Sequence, residues 1–319
     1  MTLQQWQGPA THRAGRAGFS PLNARPGRPR RRRVRPQLAG WLWMAPALTA
    51  YGLFVLYPLS QTVRYSLYDW DGVGSAVFIG LDNYAAVFSE PELYSAIVHA
   101  FELIVFFSFV PTVTGLVLAA ILRELSTGAG ATLVRTLLFL PQAIPLAAAA
   151  IAWTWLYANN GLINQVLREV GLGRLARPWL AEFDTALPAV GVIGSWLAVG
   201  FATVLFLAGI GKTDPSLYEA ARLDGAGRVR EFLAVTLPAL RQEIVVCVTV
   251  TVIWALASFD IIYVSTRGGP GYQTMVPGVA IVLQAFTAHE VGLASALAVV
   301  LLVMVLCVAL PLQRLGRPE

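Results

Sequence analysis

Residues 214–240 read Asp214-Pro215-Ser216-Leu217-Tyr218-Glu219-Ala220-Ala221-Arg222-Leu223-Asp224-Gly225-Ala226-Gly227-Arg228-Val229-Arg230-Glu231-Phe232-Leu233-Ala234-Val235-Thr236-Leu237-Pro238-Ala239-Leu240. This is the longest polar interval in the second half of the chain, and an apolar run flanks it on each side. Asp214 is placed to cap a helix whose first position is Pro215, where the missing N–H of proline is harmless. Tyr218, Ala221 and Gly225 then share one face, and Gly225 and Gly227 end that helix. A second helical pattern follows through Val229, Phe232, Leu233, Thr236 and Leu240, interrupted near its end by Pro238. The stretch is a short helix, a glycine hinge and another short helix between two membrane-length segments. By itself this is equally a well-capped amphipathic connector.

The chain outside this stretch is that of a membrane protein. Of 319 residues, 56% are hydrophobic and 13% charged, against roughly a quarter charged in soluble domains. Apolar runs occur at Gly40–Ser60, Ile97–Leu122, Thr132–Leu156, Pro188–Ile210, Ile244–Val264 and Val291–Leu312. Each is about the ~20 residues a spanning helix needs. In lipid every backbone polar group must be satisfied within the protein, so the expectation is an all-α membrane protein of about six transmembrane helices. Pro111, Pro141 and Pro145 fall inside runs two and three and are read as kinks.

The net charge of +5 is segregated. Residues 1–38 contain Arg13, Arg16, Arg25, Arg28, Arg30, Arg31, Arg32, Arg33 and Arg35 and no acid, with few large apolar residues. They read as a disordered cytoplasmic tail that orients the chain or touches anionic lipid. The first run is too long for a signal peptide and no cleavage site follows it, so it reads as an uncleaved span. With six spans, the inner segments hold Arg123, Arg135, Lys212, Arg222, Arg228, Arg230, Arg241, Arg314 and Arg317 besides the tail. The outer loops hold only Arg64, Arg168, Arg174, Arg177 and Arg267. The positive-inside rule therefore places both termini and the 212–241 loop in the cytoplasm. The domain organisation read from this is a tail at 1–38, a transmembrane domain at 39–315 and a short cytoplasmic end at 316–319.

Nothing supports an enzyme. Cys247 and Cys307 lie in apolar runs, and His12, His99 and His289 are scattered, so no metal, cofactor or disulfide set is expected. Gly211-Lys212-Thr213 is not the end of a phosphate-binding loop, because Phe206 stands where its first glycine would be. The basic residues describe a tail, and no nucleic-acid partner is expected.

Glu219-Ala220-Ala221, then Gly225, then Val235-Thr236-Leu237-Pro238 resembles the EAA loop of ABC importer permeases. Arg135-Thr136-Leu137-Leu138-Phe139-Leu140-Pro141, Gly161-Leu162-Ile163-Asn164, Gly80-Leu81-Asp82-Asn83-Tyr84, Phe259-Asp260 through Gly268-Gly269-Pro270, and Gly292-Leu293-Ala294-Ser295-Ala296 are similar to the carbohydrate-type members, over most of residues 40–312. The resemblance implies a type I importer permease fold in the bacterial inner membrane, translocating a sugar, oligosaccharide or polyol by alternating access. It implies four partners besides lipid: a second permease forming a heterodimer, two ATP-binding subunits and an extracytoplasmic solute-binding protein at loops 62–96, 157–187 and 265–290. It also implies that Glu219, Ala220, Ala221, Asp224, Gly225, Phe232, Leu237 and Pro238 form the contact with an ATPase subunit. Where the family has an aromatic residue before Ala285-Phe286, this chain has Val282-Leu283-Gln284, so the particular sugar is left open.

Glu219 has a plainer alternative, an intrahelical pair with Arg222. For the substrate path the residues singled out are Asp260, an acid near the membrane that is equally a solvated group at the outer end of run five, and Trp196, Trp254 and Tyr263, a type of residue more often an interfacial anchor. An ion-coupled secondary transporter and a non-transporting scaffold are the other classes. The first would show inverted repeats and several mid-span ionisable groups.

Overall fold

The computed structural model describes residues 36–124 and 129–315. Most of the arginine-rich tail, and the end at 316–319, lie outside them; residues 36–38, counted with the tail above, open a helix. The chain divides into two compact units, residues 1–52 and 53–319. The described part of the first is the helix α1 (Pro36–Tyr51).

In the second unit, α2 (Tyr57–Tyr65) leads to a two-residue antiparallel ladder, β1 (Tyr68–Asp69) on β2 (Val77–Phe78), with Tyr68 opposite Phe78. Then come α3 (Asp82–Ser89), α4 (Pro91–Glu124), α5 (Ala129–Phe139), α6 (Leu146–Tyr157), α7 (Leu162–Glu169) and α8 (Ala186–Ile210). The chain continues as α9 (Pro215–Leu223), α10 (Arg228–Ala239), α11 (Arg241–Leu256), α12 (Asp260–Ser265), α13 (Pro277–Ala288) and α14 (Val291–Leu315).

Among the described residues α4, α8 and α14 are each long and apolar enough to cross a membrane unbroken, and two bent pairs bring the number to five. The apolar run at 40–60 is divided among α1, a π turn at Gly52–Leu56 and α2, and is not one of those five. Two expected spans are interrupted. Run three bends by 100° between 132–143 and 146–169, through a 3₁₀ turn at Leu140–Ala143. Run five stops at Leu256 and restarts at Asp260.

Proline accounts for much of this. Its ring clashes with the carbonyl four residues earlier and it donates no hydrogen bond. Pro58, Pro111 and Pro238 each follow a π turn, at Gly52–Leu56, Val105–Phe109 and Phe232–Thr236. In each case the residue four before the proline is inside the widened turn, which is how the helix absorbs the clash. The π turn at Gln284–Ala288 has no such proline and ends at His289 with φ +60°.

The core forms where small residues let helices close up. A Cβ on Gly115 of α4 would lie 2.7 Å from that of Ala202 on α8, and the Phe106 and Phe107 rings fill the space over Gly191 and Gly194. Leu103, Val190, Ile193, Ile262, Val276 and Leu297 are fully buried around them. Two asparagines of the quoted motifs pin loops. Asn83 donates to the Ser66 and Tyr68 carbonyls at 3.0 and 2.9 Å. The buried Asn164 donates to Ala158 and Arg177 and accepts from the Trp179 indole at 2.9 Å.

Candidate functional site: a polar loop and a cavity at two helix breaks

The 214–240 loop is built as its residues dictate. The Asp214 carboxylate accepts the Ser216 N–H at 2.9 Å, and that bond holds its pKa below the usual carboxylate value. At the other end of α9 the Gly225 N–H bonds to the Arg222 carbonyl and the Ala226 N–H to that of Ala221, with Gly225 at φ +77°. This is a Schellman closure, and it needs a residue free of the left-handed penalty.

Of the residues assigned to the ATPase contact, Glu219, Ala220, Asp224, Gly225 and Pro238 are exposed, and Ala221, Phe232 and Leu237 are half-buried. Leu217, Leu223, Val229 and Leu233 also face outward, Leu223 at 88% and Val229 at 74% exposure. Arg222 does not turn to Glu219. It donates through Nε to Glu231 at 2.9 Å, and Arg123, at the end of α4, reaches the same carboxylate at 3.0 Å. Only 9% of the Glu231 side chain is accessible. The Arg123 guanidinium also lies 3.4 Å from the centre of the Tyr218 ring, and the Tyr218 hydroxyl accepts from Thr236 at 3.4 Å. The loop is thus closed on itself and fastened to α4. Two more ion pairs, Lys212–Glu243 and Arg228–Glu124, both at 3.3 Å, lie at its edges. Sequence reasoning missed Glu231 and Arg123, since nothing local in either segment names the other.

The Glu231 carboxyl is held below its ordinary 4.5, first by the hydrogen bond from Arg222 and further by Arg123, against the opposing effect of burial. A depressed carboxylate pKa stabilises the fold fully above the unfolded value and loses that contribution as pH falls through the folded value. Thermal unfolding in detergent should therefore show stability falling on acidification below about pH 4.5. In Glu231→Gln that part of the pH dependence is absent, and stability at neutral pH is lower by about 1–3 kcal/mol.

The second feature is a cavity of about 520 Å³ at the two helix breaks. Its wall includes Gln142 and Pro145 from the bend between α5 and α6, and Phe107 and Gly194 from α4 and α8. Trp254 comes from the last turn of α11, Ser258 from the break after it and Asp260 from the first position of α12. Of the pathway residues read from sequence, Trp254 and Asp260 meet here. Trp196 and Tyr263 do not line it: Trp196 packs edge-on to Trp153 at 5.6 Å, and Tyr263 stacks on Phe259 at 4.9 Å. The Ser258 hydroxyl is buried and has no hydrogen-bond partner among the described residues, an energetically costly state. Gln142 had a signal in the sequence, an amide between two prolines within an apolar run; Ser258 had none. Among the described residues Asp260 is the one charged residue in this wall.

Residues 112–315 match the model of a family described as the binding-protein-dependent transport system inner membrane component. The chain belongs to that family. It is a permease, a transport component of the inner membrane and not itself an enzyme. It is 35% identical over 272 residues to the probable ABC transporter permease protein YurN of Bacillus subtilis, covering 85% of this chain and 93% of that one. To the diacetylchitobiose uptake system permease protein NgcF of Streptomyces coelicolor it is 34% identical, over 90% of this chain and 85% of that one. To the trehalose/maltose transport system permease protein MalF of Thermococcus litoralis it is also 34% identical, over 89% and 96%. A chain in the crystal structure of a bacterial ABC transporter that imports alginate has the same fold, with TM-score 0.76, 22% identity and coverage of 89% and 96%.

Proposed function

We propose that the permease carries a neutral sugar, oligosaccharide or related polyol inward by alternating access, driven by ATPase subunits docked on the 214–240 loop. The observation that carries the substrate reading is the cavity. It combines the apolar faces of Trp254 and Phe259 with the Gln142 amide and the Asp260 carboxylate. A sugar ring offers a C–H face for the indole and hydroxyl donors for the oxygen acceptors. An anionic solute would meet Asp260 with like charge, and among the described residues no cation in this wall offsets it. Relatives named for diacetylchitobiose, for trehalose or maltose and for sulfoquinovosyl glycerol support a sugar or sugar-derived solute.

The docking reading is supported by the exposed Leu217, Leu223, Val229 and Leu233 around Glu219, an apolar patch with an acid beside it, on a loop too short and polar to enter a bilayer. Both termini would then be cytoplasmic, the ATPases would sit at that face, and a second permease would complete the path. A solute-binding protein would deliver from the other side; a related fold has been crystallised with a periplasmic protein holding an alginate pentasaccharide. Closure of the ATPases must favour one state of the permease over the other, or nothing is driven.

The test is uptake into proteoliposomes holding the whole complex, with maltose, trehalose, diacetylchitobiose and a galacturonate oligomer as probes. Accumulation of a neutral sugar only with ATP and ATPases present is the expected result, with the uronate excluded. Asp260→Asn should lower uptake of the accepted sugar about 10-fold or more, the worth of a hydrogen bond to a charged group. Uptake that persists without the ATPases would replace this reading with an ion-coupled one.

A further inference from the structure

We infer that Glu231 and Arg123 are positioning residues that transmit movement of the 214–240 loop through α4 to the wall of the cavity. The inference rests on the coupling role proposed above. Three elements converge on Glu231: α9 through Arg222, α10 through Glu231 itself, and the last turn of α4 through Arg123. Arg123 is held twice, by the carboxylate and by the Tyr218 ring, so its planar head has little freedom to swing. The nearby Arg228–Glu124 pair is exposed and adds little. The loop therefore cannot shift relative to α4 without breaking a buried charged contact.

From Arg123, α4 runs back to Phe107 over about 24 Å at helical rise. Phe107 forms part of the cavity wall and presses on Gly194 of α8. The π turn at Val105–Phe109 lies at that point, a feature frequent at functional sites. It is tied to its neighbours: Ser195 donates to the Phe106 carbonyl, and Thr251 donates to the Ser108 hydroxyl at 2.7 Å. One helix thus has the charged lock at its end and the cavity wall at its middle, where it touches both α8 and α11. Demonstrated coupling, not intermediacy alone, is what such a path requires.

The experiment needs no solute. In a Cys247→Ala, Cys307→Ser background, Ala257→Cys places one thiol at the cavity wall. Its labelling by a membrane-impermeant maleimide is followed in the assembled complex, with and without ATP and vanadate, together with the amount of ATPase that co-purifies. With Glu231 and Arg123 intact, the labelling rate should change about 10-fold between the two conditions, within the range of ordinary couplings. Glu231→Gln and Arg123→Gln should retain the ATPase and its hydrolysis, yet lose the change, while Arg123→Lys keeps most of it. A labelling change in Glu231→Gln equal to that of the wild type overturns the inference. So does loss of the ATPase from that variant, which would make the carboxylate an assembly contact only. Glu219→Ala separates the two readings: if it leaves ATPase association and the labelling change intact, docking through Glu219 fails irrespective of Glu231.

Discussion

Gly225→Val should abolish ATP-driven uptake, and Glu219→Ala should match it through a different cause. Gly225 holds φ +77° at the closure of α9, with open space where a Cβ would point. The substitution therefore acts through the backbone and not through a clash. A β-branched residue in the left-handed region costs about 1–2 kcal/mol, enough to reopen the closure of a nine-residue helix. The displaced α9 would carry Glu219, Leu217 and Leu223 away from the geometry an ATPase cleft requires, and interfaces concentrate their energy in a few such anchors. Glu219→Ala leaves the backbone alone and removes only the exposed acid. Asparagine tolerates the left-handed region, so Gly225→Asn should restore most of the uptake lost in Gly225→Val. ATPase co-purification and uptake in proteoliposomes read both effects. Normal uptake in Gly225→Val would mean that the shape of the loop does not matter to its partner.

The second large effect is expected at Gly200. The bend that carries Gln142 and Pro145 into the cavity rests on α8 at this residue, and a Cβ there would overlap the Leu138 carbonyl oxygen. A backbone atom cannot rotate aside as a side chain does, so Gly200→Val must displace the bend or part α5 from α8. Overpacking of this kind typically costs 1–3 kcal/mol. The yield of assembled complex should fall, the midpoint of thermal unfolding should drop by several degrees, and neutral-sugar uptake should be lost with the cavity wall. Gly130→Ala is the control, since a Cβ at Gly130 of α5 meets nothing within 4 Å. It should be neutral or slightly stabilising. Equal behaviour of the two variants in thermal unfolding would show that the contact at Gly200 carries no strain.

What the amino-acid sequence determined by itself is everything that depends on near neighbours. The apolar runs dictate helices because lipid leaves the backbone no other partner. Asp214 and Pro215 begin α9 and Gly225 ends it, as read, because a cap is an interaction within three or four residues. The family was legible in the spacing of Glu219, Gly225 and Leu237-Pro238, and Pro111 marked where α4 widens into a π turn.

The tertiary structure decided which distant residues meet. That Trp254 and Asp260 share a cavity while Trp196 and Tyr263 do not depends on how each helix is rotated against its neighbours, which aromatic content does not encode. That run three turns by 100° and not merely kinks at Pro141 and Pro145 depends on Gly200 making room for it on another helix. The choice of Glu231 over Glu219 as the partner of Arg222 depends on the fold of α10 back onto α9 and on Arg123 arriving from α4. Local interactions fix a helix and its ends, but the register between helices is set by the packing of all of them together, and these sites are made between helices.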